Sequence, residues 1–254
     1  MKTALIQTEL SWENPNENKA LLQEKINSIS QYVDLIVLPE MFTSGFTMNP
    51  KNVAQTMQGE TISWLKETAK NKNCAITGSL VIEENGNYFN RLVFVFPNGE
   101  IQIYDKRHLF TLAGEDKVYT SGKEKLIVEY KGYKICPLIC YDLRFPAFAR
   151  NVEDYEVLIY VANWPKPRVN AWDILLKARA IENMCYVIGV NRVGIDNNNH
   201  EYIGHSQAVD FLGNEMFETT ENECVFIVEF DKNTMLKTRE KLGFLNDKDN
   251  FILI

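Results

Sequence analysis

A short unbroken apolar run, Leu35-Ile36-Val37-Leu38, opens after Asp34 and is stopped by Pro39. The run is too short for a buried helix and has no polar side to turn toward water, so it suits a strand covered on both faces. Such a strand demands layers above and below it, which confines the chain to folds that hold a sheet between other elements. This run and Val157-Leu158-Ile159-Tyr160-Val161-Ala162 are the longest apolar stretches, and both fall far short of bilayer thickness. No membrane partner is expected.

Around that strand the pattern alternates. It predicts a strand over 2–8, an amphipathic helix over 17–31 with Leu21, Leu22, Ile26 and Ile29 near helical spacing, and a helix over 61–73. Strands follow over 74–82, 88–96 and 101–105, punctuated by Asn85-Gly86-Asn87 and Pro97-Asn98-Gly99. Beyond a less regular stretch over 107–125, strands are expected over 126–130, 133–140 and 156–162, a helix over 170–184, and strands over 185–191, 206–211 and 224–230. Residues 231–240 read as a short helix capped by Asp231. Too many strands pair as hairpins for an alternating parallel barrel. The expectation is an α/β fold of two mixed sheets packed together with helices outside, in a single domain over 1–254, because no linker and no internal repeat divides the chain.

Composition removes several function classes. A chain of 254 residues, 45% hydrophobic and 24% charged, can bury a core without disulfides or metals. A net charge of -7 argues against a nucleic-acid partner. The five cysteines (Cys74, Cys136, Cys140, Cys185, Cys224) are odd in number and form no close pair, which argues for reduced thiols. His108, His200 and His205 show no ligand-like spacing against them, so no metal is expected. The amino terminus turns polar at Gln7, too early for a secretory signal, and a cytoplasmic location is expected.

Three places put a reactive side chain at the end of a strand, where α/β proteins gather their ligand sites. Glu40 follows Val37-Leu38-Pro39 directly; it fits a solvated strand-end carboxylate, or a partly desolvated one suited to proton transfer, walled by Phe42 and Phe46. In Tyr104-Asp105-Lys106-Arg107-His108-Leu109-Phe110 a strand runs into cations, of which Lys106 matters if another segment supplies an anion. His108 is read as a hydrogen-bonded structural residue rather than the base of a Cys–His dyad. In Ile135-Cys136-Pro137-Leu138-Ile139-Cys140-Tyr141-Asp142-Leu143-Arg144-Phe145-Pro146 a buried strand ends in cysteine, then a polar turn, then a helix-starting proline. Cys136 reads as core. Cys140 alone fits core cysteine and nucleophile equally, and a nucleophile at such a turn has backbone N–H groups beside it for an oxyanion.

Taken together, Leu38-Pro39-Glu40-Met41-Phe42, Tyr104 to Phe110 and Cys140 to Pro146 resemble the nitrilase superfamily of carbon–nitrogen hydrolases. Supporting motifs are Gly78-Ser79, Tyr160 to Pro165, Lys177 to Asn183 and Gly204-His205-Ser206, so the likeness covers nearly the whole chain. The resemblance implies a Glu–Lys–Cys triad of Glu40, Lys106 and Cys140, an α-β-β-α sandwich, and a homodimer formed through the helices. It also implies a second glutamate between lysine and nucleophile, for which Glu115 is the local candidate beside Asp116. Within the superfamily the motifs look most like the omega-amidase branch, which is implied to cleave the terminal amide of alpha-ketoglutaramate or alpha-ketosuccinamate.

On that reading Glu40 takes the Cys140 proton, and Lys106 with the Tyr141 N–H meets the oxyanion. No metal or organic cofactor is needed. Phe42, Tyr141 and Trp164 are expected to line the substrate site, although Phe42 and Trp164, as aromatics beside strand ends, fit the core equally. Arg144 is a candidate clamp for a substrate carboxylate, or else a structural partner of Asp142, and Arg168 is a second candidate clamp. Alternatives are an N-carbamoyl amide hydrolase, a deaminated-glutathione amidase, or a catalytically silent scaffold of the same fold. The apolar residues that close 244–254 are expected to dock across a subunit boundary or along a sheet edge.

Overall fold

The computed structural model describes residues 1–249, 251 and 252. The buried run forms β2 (Leu35–Val37), paired in parallel with β1 (Lys2–Gln7) and β3 (Ala75–Glu84), and all three of its residues are buried. Neighbours extend this into a six-stranded sheet in the order β13-β1-β2-β3-β4-β5, with β4 at Asn87–Val95, β5 at Ile101–Asp105 and β13 at Cys224–Glu229. The β3–β4 hairpin turns at Asn85 and Gly86, both with positive φ (52° and 78°), as its tight connection requires.

The second sheet has five strands in the order β12-β9-β8-β7-β6: β6 (Val128–Tyr130), β7 (Tyr133–Ile139), β8 (Val157–Val161), β9 (Tyr186–Val190) and β12 (Gln207–Val209). Between β9 and β12 lies a separate hairpin, β10 (Val193–Ile195) with β11 (Glu201–Ile203). Side chains alternate across the first sheet and so divide it between two partners. Leu5, Leu35, Val37, Leu92, Phe94 and Tyr104 share a core with Ile135, Val157 and Ile159 of the second sheet. Ala4, Ile6, Ile36, Ile76 and Val93 pack instead with Leu22 and Ile26 of α1 (Pro15–Ser28) and Leu65 and Ala69 of α3 (Glu60–Lys72). The far side of the second sheet is covered by Trp172, Leu176 and Ala180 of α5 (Val169–Asn183) and by Met235 of α6 (Lys232–Leu242). The layers run α-β-β-α. Each fully buried Leu, Ile, Val or Phe in them contributes about 1.5–3 kcal/mol before chain entropy is counted.

Local chemistry moved some boundaries. The first helix starts at Pro15 because Asn14 caps it, its side chain accepting from the Glu17 N–H at 3.3 Å, and it ends at Ser28. The strand expected to include Cys140 ends at Ile139, because Cys140 has φ of 45°. Two short helices, α2 (Pro50–Val53) and α4 (Pro146–Ala149), and the β10–β11 hairpin are too brief to show a periodicity. Asp231 caps α6 as expected, accepting from the Thr234 N–H. Four cysteines are buried, Cys224 is partly so, and all five are free. Among the described residues no helix is long and apolar enough to cross a membrane. Of the terminal stretch, Phe244–Asp247 form a 3-10 turn and Phe251 borders a groove with Phe148 and Val152. The remainder of that expectation, at Asn250, Leu253 and Ile254, lies outside the described residues.

The topology brings strand ends together. Ile139, Val161 and Val190 stand in register across β7, β8 and β9, so the segments after them leave the sheet at one edge. In the other sheet β5 ends beside β4, where the Lys106 N–H donates to the Asn90 carbonyl at 3.0 Å. The chain then returns at Gly122, whose N–H donates to the Lys106 carbonyl at 2.9 Å. A Cβ at Gly122 would stand 2.1 Å from the Asp105 carbonyl oxygen, a backbone atom that cannot swing away. Gly122→Ala should therefore destabilise the protein by about 2 kcal/mol or more and shift the Lys106 segment. Denaturant unfolding would detect the loss of stability, and unchanged stability would show that the loop yields freely.

Candidate active site

Glu40 opens the turn after β2. The Leu38, Met41 and Phe42 N–H groups donate to Thr77 O, Ser79 Oγ and Ser79 O at 2.8, 2.9 and 3.0 Å, pinning the turn to β3. Gly78 permits the close approach, since a Cβ there would meet the Leu38 Cβ at 2.8 Å. Glu40 is fully buried. Its Oε1 accepts from Lys106 Nζ at 2.9 Å and Asn90 Nδ2 at 2.8 Å, and its Oε2 from the Asn163 N–H at 2.8 Å.

Lys106, 1% exposed, lies between two carboxylates. Its Nζ is 3.0 Å from each oxygen of Glu115, which is also fully buried. Gly114, with φ of 76°, turns the chain into the 3-10 segment Glu115–Lys117, and Glu115 Oε2 accepts from the Phe110 N–H at 2.6 Å. Glu40, Lys106 and Glu115 form one hydrogen-bonded chain, and Asn90 Nδ2 joins both carboxylates, reaching Glu115 Oε1 at 3.3 Å. Burial alone would push the Lys106 ammonium down; the charges of Glu115 and then Glu40 overcome that and hold it well above its ordinary value. Burial also raises Glu115, opposed by Lys106 and reinforced by Glu40.

Cys140 opens a 3-10 turn, Cys140–Arg144, at the end of β7. Its left-handed backbone is a costly conformation for a side-chain-bearing residue, and Asp142 holds it. Asp142 Oδ2 accepts from the Ile139 N–H at 3.0 Å and the Tyr104 hydroxyl at 2.7 Å, while Oδ1 accepts from the His108 N–H at 3.1 Å and contacts His108 Nδ1 at 2.7 Å. His108 is thus spent on Asp142 and stacks on Phe145 at 3.7 Å, the structural role expected of it. Burial, and after it the charge of Glu40, keep the Cys140 thiol well above its ordinary value, with Lys106 pulling the other way. Cys140 thus sits beside both Glu40 and Lys106, which act on its thiol in opposite directions.

These groups meet at a cavity of about 360 Å³ whose wall includes Lys106, Cys140, Tyr141, Asn163 and Trp164. Phe46, Met48, Phe110 and Leu112 make its apolar part, with the Phe46 ring 5.2 Å from Lys106 Nζ. Phe42, expected on this wall, is elsewhere. The turn at Met41, φ 42°, sends it back onto β3, and its ring is buried under the outer helices 6.3 Å from Trp64. The alternative pairing of Arg144 with Asp142 does not form, because Asp142 is taken by His108 and Tyr104. Arg144 lies instead over Trp164 at 5.0 Å, and Arg168 over Phe110 at 5.1 Å, both at the cavity. The β10–β11 hairpin adds Asn198, His200 and Tyr202. Among the described residues no three His, Cys, Asp or Glu side chains converge as around a metal ion.

Two residues of the centre carried too little signal in the chain. Asn90 sits in an ordinary strand pattern, and only the pairing of β4 with β5 sets it between two glutamates. Asn163 lies in a motif noted above, but its double contact with Glu40 (Asn163 Nδ2 also donates to the Glu40 carbonyl at 2.6 Å) joins segments distant in sequence.

Comparison with known proteins gives the family. The family model described as Carbon-nitrogen hydrolase matches residues 2–240. The chain is 42% identical to "Omega-amidase YafV" of Yersinia enterocolitica over 100% of this chain and 99% of that one. It is 34% identical to "2-oxoglutaramate amidase" of Bacillus subtilis over 95% of each. A solved structure of a CN-hydrolase superfamily protein from Xanthomonas campestris, carrying an arsenic adduct in its active site, superposes with a TM-score of 0.97 at 40% identity, covering 100% of this chain and 98% of that one.

The electrostatics predict a silent thiol at rest. The difference in far-ultraviolet thiolate absorbance between the protein and Cys140→Ser should stay flat from neutral pH up to 9.0, the ordinary thiol value. A thiolate step with a midpoint below that value would show Lys106 outweighing burial and Glu40.

Proposed function

The chain belongs to the carbon–nitrogen hydrolase family, and from that premise we infer that it is an omega-amidase, hydrolysing the terminal amide of small omega-amido 2-oxo acids to a dicarboxylate and ammonia. The observation that carries the reading is the buried Glu40–Lys106–Glu115 chain at a cavity that also presents Cys140. Relatives that bear the names omega-amidase and 2-oxoglutaramate amidase support the substrate class.

The residues supply each step. Glu40 accepts the Cys140 proton as the sulfur attacks the amide carbon, so the thiolate exists only as it reacts. Charge passes to the amide oxygen, which the Lys106 ammonium and the Tyr141 N–H stabilise, each such donor contributing roughly 3 kcal/mol of barrier. Glu40 returns its proton to nitrogen, the C–N bond breaks, and ammonia leaves a thioester on Cys140. Water then attacks the thioester with Glu40 as base, and the C–S bond breaks to release the acid and restore the thiol. Glu115 holds Lys106 from the side opposite Glu40 and keeps the ammonium charged and aimed. Tyr141, Trp164 and Arg144 bind the substrate at the cavity wall.

We read residues 1–254 as one hydrolase domain, supported by the core that both sheets share. Five free cysteines suit a reducing, cytoplasmic setting. The homodimer is supported by the outward face of α5, where Ile174 and Ile181, two helical turns apart, are 56% and 55% exposed, with Gly213 packed against Ile181 and its neighbour Leu212 51% exposed.

Ammonia release from 2-oxoglutaramate tests the activity. Cys140→Ala should abolish it and Cys136→Ala should keep most of it. Lys106→Met should raise the barrier by about 3 kcal/mol or more; a Lys106 variant with near-normal kcat would remove lysine from the mechanism. For the assembly, light scattering at micromolar concentration should give twice the chain mass, halved when Ile174→Asp and Ile181→Asp are combined. A monomeric wild type would end the dimer proposal.

A further inference from the structure

The cavity wall contains two guanidinium groups that have no counter-charge among the described residues. Of the eight arginines in the chain, Arg91, Arg107, Arg150, Arg179, Arg192 and Arg239 each donate to a carboxylate or a backbone carbonyl. Arg144 and Arg168 do neither among the described residues. Each lies against an aromatic ring, Arg144 at 5.0 Å from Trp164 and Arg168 at 5.1 Å from Phe110. Stacking of this kind holds the planar group while leaving its N–H edge free to take an anion in a two-bond fork.

Both are tied to the reacting groups. Arg144 ends the turn that Cys140 opens. The Arg168 carbonyl accepts from Trp164 Nε1 at 2.7 Å, and the Phe110 beneath its guanidinium donates its N–H to Glu115. The spacing from the guanidinium groups to the nucleophile is therefore set by packed elements rather than by free loops.

The rest of the wall matters as much. Although the chain carries 34 acidic residues, no Asp or Glu lines this cavity. The carboxylates bonded to wall residues are engaged there: Glu40 and Glu115 on Lys106, and Asp196 on the N–H groups of Asn198 and His200 and the Tyr202 hydroxyl. A ligand carboxylate finds two unpaired cations here. A ligand ammonium finds the same two cations and no carboxylate.

We infer that Arg144 and Arg168 together read the 2-oxo acid end of the substrate and make the site select omega-amides of 2-oxo acids over those of 2-amino acids. This rests on the omega-amidase reading above and adds the residues that decide its specificity. The carboxylate takes one guanidinium edge and the neutral 2-oxo oxygen accepts from the other. In glutamine or asparagine that oxygen is replaced by an ammonium, which offers only donors where the wall also offers only donors. Loss of such a charged hydrogen bond, combined with like-charge contact, is discriminating by roughly a hundredfold.

The test compares kcat/KM for 2-oxoglutaramate, L-glutamine and neutral butyramide in wild type, Arg144→Met, Arg168→Met, the double variant and Arg168→Lys, by ammonia release. Wild type should prefer 2-oxoglutaramate over glutamine by roughly a hundredfold or more. Each Met variant should cut that ratio, and the ratio to butyramide, by about tenfold or more, chiefly through KM. The double variant should cut both further. Arg168→Lys should restore part of the preference, since it keeps the charge and loses the fork. Ratios unchanged in all four variants would overturn the assignment while leaving the omega-amidase reading intact. A wild type that cleaves butyramide but not 2-oxoglutaramate would overturn that reading and the inference with it.

Discussion

Lys106, enclosed by Glu40 and Glu115 and almost wholly buried, is the interaction on which the rest of the molecule depends. Burying three charged side chains is expensive, and their mutual attraction repays it only when geometry is good and the remaining hydrogen-bonding positions are filled. The protein meets both conditions: Asn163 fills the Glu40 Oε2 that Lys106 leaves free, Asn90 adds a second donor to Glu40 Oε1, and Phe110 donates to Glu115. Removing one member strands the others as uncompensated buried charges, a loss of about 3–5 kcal/mol. The arrangement makes poor sense as a stabilising device, because well-packed apolar residues would serve as well. It makes sense as a preorganised electrostatic site facing a buried thiol.

That site constrains the backbone around it. Glu40, Lys106 and Glu115 come from the first sheet and its following loop, Cys140 and Asn163 from the second, so the site exists only where the two sheets face each other. Cys140 and Met41 both hold positive φ, and Gly78 and Gly122 allow contacts that a Cβ would block. Part of the backbone strain thus falls at turns that carry reactive groups, and Asp142 offsets the cost at Cys140 by bonding to β7, to Tyr104 and to the His108 segment together.

Charge is also distributed with purpose across an acidic protein. The net field of -7 repels a carboxylate substrate, yet the cavity wall is free of acidic side chains and holds unpaired arginines. Local desolvated charges outweigh distant solvated ones, since screening removes the latter within about 8–10 Å at ordinary ionic strength.

What the sequence determined alone was everything that acts over a few residues. Short apolar runs between breakers set β2 and the strands of the second sheet. Asp231 set the start of α6, and Asn85-Gly86 set a hairpin. The ordered motifs at Glu40, Lys106 and Cys140 pointed to the carbon–nitrogen hydrolase family because each keeps its place relative to a strand end. Cys140 read equally as core or nucleophile by itself, and only folding sets it beside Glu40 and Lys106. The tertiary structure alone decided that Asn90 would bridge two glutamates, that Asn163 would bond Glu40 from across the sheets, that Phe42 would turn into the outer core while Phe46 faced the cavity, and that the short β10–β11 hairpin would bring His200 and Tyr202 to the wall. The reason is the range of the forces involved. Periodicity and capping report on the hydrogen bonds of one segment, whereas a buried charge network depends on distances between segments 50 or 123 residues apart, which only packing sets.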